Sequence, residues 1–185
     1  MKNFLEAPVF IISGLLTAAI GKWQLAVLVQ GDLMAFLSAL AFDTLYLGLV
    51  YLLCHLMLRW LQTRPRLVLA YAAVFGLVGL MVEWFVVNNS PWTNPGADQF
   101  GLFAQWACLS LVPLMGLLER RGVQTLIVRF GLFYVVLSLI GQLALPGTWR
   151  SSFHTYMVSI GYLALLALIL VKFLRDKQAT KEATP

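Results

Sequence analysis

Residues 33–88 read LMAFLSALAFDTLYLGLVYLLCHLMLRWLQTRPRLVLAYAAVFGLVGLMVEWFVVN. Two apolar runs, 33–58 and 67–88, flank a short segment that holds Arg59, Arg64 and Arg66. Each run is long enough to cross a bilayer core, which needs about 20 mostly apolar residues. The stretch therefore reads as two transmembrane helices joined by a basic connector. The rest of the chain repeats this pattern. Glu119, Arg120 and Arg121 form a second charged cluster, and Lys172, Arg175, Lys177 and Lys181 close the chain. In the alternate gaps and their flanks the only Lys or Arg residues are Lys22 and Arg150. Basic residues concentrate on the cytoplasmic side of membrane proteins, so this alternation fixes parity as well as fold. It predicts an all-α polytopic bundle of about six transmembrane helices. The spans are 7–29, 33–58, 67–88, 101–118, 123–146 and 153–174. Both termini are then cytoplasmic, as expected for a protein of a bacterial inner membrane.

Composition agrees with this reading. The hydrophobic fraction is 61% and the charged fraction 11%, with a mean hydropathy of +0.84. Soluble domains run at roughly 45–50% apolar and about 25% charged. A water-soluble fold of this length has no way to hide so much apolar surface, whereas a bilayer removes the need. A net charge of +5 would point to nucleic acid in a soluble protein. Here the excess lies in short loops beside apolar spans, where it anchors the cytoplasmic face near anionic lipid, so nucleic acid is excluded as a partner. Cys54 and Cys108 fall in different spans, toward opposite faces, which rules out a disulfide or a CxxC pair and leaves them as small packing residues.

The first span is interrupted by Gly21, Lys22 and Trp23, and the remainder to Gln30 is expected to lie along the interface. A cleaved signal peptide is disfavoured. Glu6 weakens the basic leader, no clean small-residue cleavage site follows, and removal would break the helix parity. Linkers are short, so residues 1–175 read as one transmembrane domain, followed by a polar tail, 176–185, expected to be disordered. The halves 1–92 and 93–185 show no internal repeat of the kind many transporters carry. The outward segments are 30–32, 89–100 and 147–152, with Asp32, Asp98 and Arg150.

An ionisable residue within a span costs about 2.5–3.5 kcal/mol on insertion scales and is a functional candidate by default. Asp43 lies about 15 Å from the outer end of its helix, near the midplane. Arg129, toward the inner end of the fifth span, has a side chain long enough to reach a similar depth. An Asp43–Arg129 lock between helices two and five is the expected arrangement, with a protonatable Asp43 as the alternative.

Glu83 lies just below the outer end of the third span, ahead of the one long outward loop. Pro91, Pro95 and Gly96 make that loop irregular. Trp84, Trp92, Gln105, Trp106, Gln142 and His154 fall at a similar depth. Interfacial tryptophans form belts whatever a protein does, but Glu83 and Gln105 lie below the surface and need partners. Glu83 is the candidate acid or base, with Asp98 and His154 as catalytic partners. Asp43, Trp84, Trp92, Gln105, Trp106, Arg129 and Gln142 are candidate ligand contacts. His55 and His154 lie at opposite faces, so a haem held by two histidines within one subunit is not expected, and no spacing points to a metal site or names a cofactor. No phosphate-binding glycine motif, HExxH or GxSxG occurs. Gly76, Gly79, Gly131 and Gly141 suit close helix packing, and Pro113 is expected to kink the fourth helix.

These features favour a bundle that binds or processes a lipid-like or isoprenoid-like molecule from the outer leaflet. An accessory or assembly subunit of a larger membrane complex, and a small proton- or cation-coupled transporter component using Asp43, are the alternatives. The expected partners are membrane lipids, a hydrophobic small molecule, and a second copy or a partner membrane subunit. Whether a reaction occurs is left open.

Overall fold

The computed structural model describes residues 2–63, 66–96, 98–118 and 121–182; residues 2–6, 58, 62–63, 66, 121 and 176–182 enter as backbone only. Arg64, Glu119 and Arg120 of the basic clusters lie outside the described residues. Six helices follow one another: α1 (Lys2–Lys22), α2 (Leu33–Thr63), α3 (Arg66–Val82), α4 (Gln99–Leu117), α5 (Arg121–Ala144) and α6 (Gly147–Glu182). Two of them widen into π-helical turns before they end. Trp23–Val29 continues α1, and Glu83–Val87 continues α3. All six are long and apolar enough to cross a membrane, and the chain is a multi-pass membrane protein.

The fourth helix forms the centre of the bundle. It carries Gly101, Ala104, Ala107, Cys108 and Ser110, and small residues let helix backbones approach where no hydrophobic driving force pulls helices together in lipid. It is buried over most of its length and packs against α1, α3 and α6. The Ser110 hydroxyl is satisfied within its own helix, donating to the carbonyl of Trp106 at 3.0 Å. Leu45, Leu49, Leu52 and Leu56 on α2, and Leu132, Val136, Leu139 and Leu143 on α5, point away from the core, as lipid-facing residues should.

Glycines set several of the close approaches. A Cβ on Gly79 would come within 2.0 Å of the Trp106 ring, and one on Gly141 within 2.0 Å of Phe153. Gly76 meets Phe103 in the same way. Gly131 does not serve this role: its nearest neighbour would be Ile20 at 4.0 Å, and it forms part of an open apolar groove between α1 and α5.

Four expectations change in the structure. The first span does not break at Gly21–Trp23. Tyr162 of α6 donates to the carbonyl of Thr17 at 2.5 Å and accepts from the Gly21 amide at 3.2 Å, and the helix continues as a π turn to Val29. A π turn inserts extra backbone without ending the helix, so the polar residues there turn inward instead of the segment leaving for the interface. Residues 147–152, set ahead of the sixth span, form the first turns of its helix. Trp149 and Arg150 amides both donate to the Pro146 carbonyl, and Arg150 Nε donates to the Leu145 carbonyl at 2.7 Å, so α6 starts at Gly147. At its other end α6 runs to Glu182, because Lys, Gln, Ala and Glu are good helix formers and no breaker interrupts them. The expected disordered tail is thus helical backbone as far as Glu182, and residues 183–185 lie outside the described residues. Finally, Asp43 does not pair with Arg129, for the reason given below.

Candidate functional site

Asp43 is completely buried, and its Oδ1 accepts a hydrogen bond from Lys22 Nζ at 2.8 Å. Arg129 lies instead on an exposed stretch of α5. The reason is packing: α2 leans on α1 and on the first π turn, so the cation nearest to Asp43 is the one that ends α1. Lys22 is itself largely buried, its side chain 16% exposed, and its ammonium sits 5.8 Å from the centroid of the Trp106 ring. A cation over an indole face gains from the ring quadrupole, more so away from water. The second carboxylate oxygen of Asp43 and the hydroxyl of Tyr46, one helical turn further on, are buried and have no hydrogen-bond partner among the described residues.

Trp106 connects this ion pair to Glu83. Its indole Nε1 donates to Glu83 Oε1 at 3.1 Å, and Asn89 Nδ2 donates to Glu83 Oε2 at 2.9 Å. Glu83 opens the second π turn, which closes on Asn88 in the left-handed conformation (φ 66°), and the Asn89 amide then returns to the Glu83 carbonyl at 2.8 Å. Asn tolerates that conformation better than most residues, because its short side chain can hydrogen-bond locally. The Tyr46 ring packs edge-on against Trp106 at 4.7 Å, and Phe42 does so at 6.5 Å. Thus α1, α2, α3 and α4 each give at least one polar or aromatic group to a single cluster.

The cluster forms one wall of a cavity of about 300 Å³. Lys22, Glu83, Asn89, Gln105 and Gln30 supply its polar surface; Leu25, Ala26, Ala35, Ala39, Phe42, Val87 and Leu102 supply the apolar part, with Trp106 between. Its volume is at the lower end of the range for small-molecule sites. Gln105 is only 7% exposed, lines the cavity, and its side-chain amide has no hydrogen-bond partner among the described residues. Both π turns border the cavity, and each begins at a charged residue or directly after one. Such turns recur at functional sites, where they re-aim side chains.

The three residues expected to share catalysis are in three places. Glu83 faces the cavity. Asp98 is an exposed N-cap of α4, accepting from the Phe100 amide at 3.1 Å and the Gly101 amide at 3.2 Å, much as Asp32 accepts from the Ala35 amide at 2.8 Å ahead of α2. His154 is fully buried; one ring nitrogen lies 2.9 Å from Gln142 Oε1 and the other 3.4 Å from Gln24 Oε1. It ties α5, α6 and the first π turn together. Neither residue is brought to the Glu83 carboxylate, whose side-chain partners are Asn89 and Trp106. Trp84 donates to Gln99 Oε1 at 2.6 Å and packs edge-on against Trp92, so these two tryptophans brace the loop and do not enter the cavity.

Lys22, Asn89 and Tyr46 were not among the expected site residues. A signal for Lys22 exists: a lysine within an apolar span carries the same insertion cost as an aspartate. Asn89 and Tyr46 carry no comparable mark. Among the described residues, no three His, Cys, Asp or Glu side chains gather closely enough to hold a metal ion. No family model, curated protein or solved structure matches this chain.

Proposed function

We propose that this chain is a bacterial inner-membrane protein, with both termini cytoplasmic, that binds a lipid-like molecule in the cavity between α1, α2, α3 and α4. The loop 88–98 then faces outward, and the cavity draws on the outer leaflet. One observation carries the reading. A single recess places Lys22, Glu83 and Gln105 beside an apolar surface of Leu25, Ala39, Val87 and Leu102, a division that suits a molecule with a polar head and an apolar chain. Glu83 is the residue for head-group contact, its carboxylate oriented by Asn89 on one oxygen and Trp106 on the other.

The test uses the full chain purified in detergent, with co-extracted lipid measured by mass spectrometry. Wild type should retain lipid, and Ala39→Trp or Leu102→Trp, which fill the cavity, should lose it while keeping the same elution volume. Equal retention in all three would count against the site. A reporter fused after Pro185 should be active only in the cytoplasm; activity outside would reverse the assigned leaflet.

Transport through Asp43 is a second reading, supported by its buried, half-satisfied carboxylate. It requires that Asp43→Asn abolish a cation-dependent flux in proteoliposomes that wild type sustains.

A further inference from the structure

The geometry points to an ammonium group as the head of the molecule that occupies the cavity, an inference that rests on the lipid-binding reading and narrows it to one chemical class. Three charges count here: Lys22, which lines the recess, Asp43, which pairs with it from behind the lining, and Glu83, which lines the recess as well. The first two cancel across 2.8 Å, which leaves one net negative charge, on Glu83. A carboxylate offers about four lone-pair positions. Two on Glu83 are filled, by Trp106 and Asn89, and the rest are open. Gln105 adds an unpartnered amide whose carbonyl can accept, and it is more than nine-tenths buried against the same recess. The recess thus holds one uncancelled negative charge, with open acceptor positions on Glu83 and the Gln105 carbonyl beside it. A group with several N–H donors and one positive charge complements both.

An inorganic divalent cation fits less well. Calcium takes six to eight oxygens and magnesium a near-octahedral set, whereas here Glu83 and Gln105 are accompanied by Trp106, Phe42 and aliphatic carbons. Aromatic faces and hydrocarbon walls suit a cation that carries an alkyl chain. Lys22 already shows the preference, since its own alkylammonium lies against Trp106 in this cluster. A route for the chain is present as well. Although consecutive, α2 and α3 pack only sparsely on each other. Phe42 and Val87, on the two sides of that seam, line the cavity and also reach the bundle surface.

An amphiphilic ammonium reaches such a site either as an aminophospholipid of the bilayer or as a free cationic amphiphile. Native mass spectrometry of the full chain in a neutral maltoside detergent distinguishes them, with phosphatidylethanolamine, dodecylammonium and phosphatidylglycerol titrated separately. The ammonium probes should bind about tenfold more tightly than phosphatidylglycerol. Glu83→Gln should erase the difference, and Gln105→Leu, which leaves the Glu83 bonds in place, should reduce it. Preference for phosphatidylethanolamine alone identifies the bilayer as the source, and preference for dodecylammonium alone a free amphiphile; either supports the assignment. If phosphatidylglycerol binds as well as both ammonium probes, and Gln105→Leu changes nothing, the ammonium assignment is overturned while the lipid site stands. If no probe binds, or Ala39→Trp leaves all binding intact, the underlying lipid-site reading falls with it.

Discussion

Lys22 and Asp43 hold each other at 2.8 Å inside the bundle, one from the end of α1 and the other from the middle of α2. Neither charge is tolerable there alone, because burial removes the water that would solvate it. The pair gives the lysine of the Gly-Lys-Trp sequence a buried partner, beside the Tyr162 bonds that hold the helix there. Its ammonium lies 5.8 Å from the centroid of the Trp106 ring, which in turn donates to Glu83.

Removing one partner should be worse than removing both. Lys22→Met leaves a fully buried carboxylate unpaired and is expected to lower stability by about 3–5 kcal/mol. Asp43→Asn should cost less, since the lysine stem can carry its ammonium toward the exposed edge. The double variant, Lys22→Met with Asp43→Asn, should recover most of the loss. Thermal unfolding in detergent, followed by fluorescence, gives all three values. A double variant no better than Lys22→Met would mean that the pair is not the energetic unit.

The contact of Gly79 with Trp106 should be intolerant of a single methyl group. A Cβ 2.0 Å from the indole forces α3 and α4 apart, and overpacking of this kind costs about 1–3 kcal/mol. Gly131→Ala, also in a helix, meets nothing closer than 4.0 Å and should be neutral or stabilise by up to about 1 kcal/mol through helix propensity. Gly79→Ala should therefore lower the melting temperature while Gly131→Ala leaves it unchanged or raises it, and equal shifts would refute the packing argument.

His154 should matter to stability in its own right. His154→Ala leaves the amides of Gln24 and Gln142 facing a buried hole, with an expected loss of about 1–3 kcal/mol per unsatisfied group. His154→Phe, which fills the space but offers no nitrogen, should not restore the loss. Recovery in His154→Phe would show that volume, not hydrogen bonding, is what the site requires.

Asp98 is predicted to act as a helix cap. Asp98→Ala should destabilise by about 0.5–2 kcal/mol, and Asp98→Asn should retain most of the stability, because a single oxygen, Oδ1, accepts from both α4 amides and asparagine keeps one. Ligand retention at constant fold should be unchanged in Asp98→Asn. A selective loss of binding in that variant would return Asp98 to the functional site.

The all-α bundle was readable from the sequence because bilayer thickness imposes a length on each apolar run, a constraint that acts on consecutive residues and needs no partner. Glu83, Gln105 and Trp106 were also readable as a group, since helical rise alone places them at one depth. Depth, however, carries no information about direction around the helix axis. His154 shares the depth of Glu83 yet joins Gln24 and Gln142, and Asp98 ends at a helix terminus. The choice of Lys22 over Arg129 as the partner of Asp43 was decided by which helices pack together, and the two π turns shifted the register that a regular helix would have kept. Spans follow from solvent and chain length, which are local, whereas a binding recess follows from the rotation and neighbours of four helices, which only the packed molecule fixes.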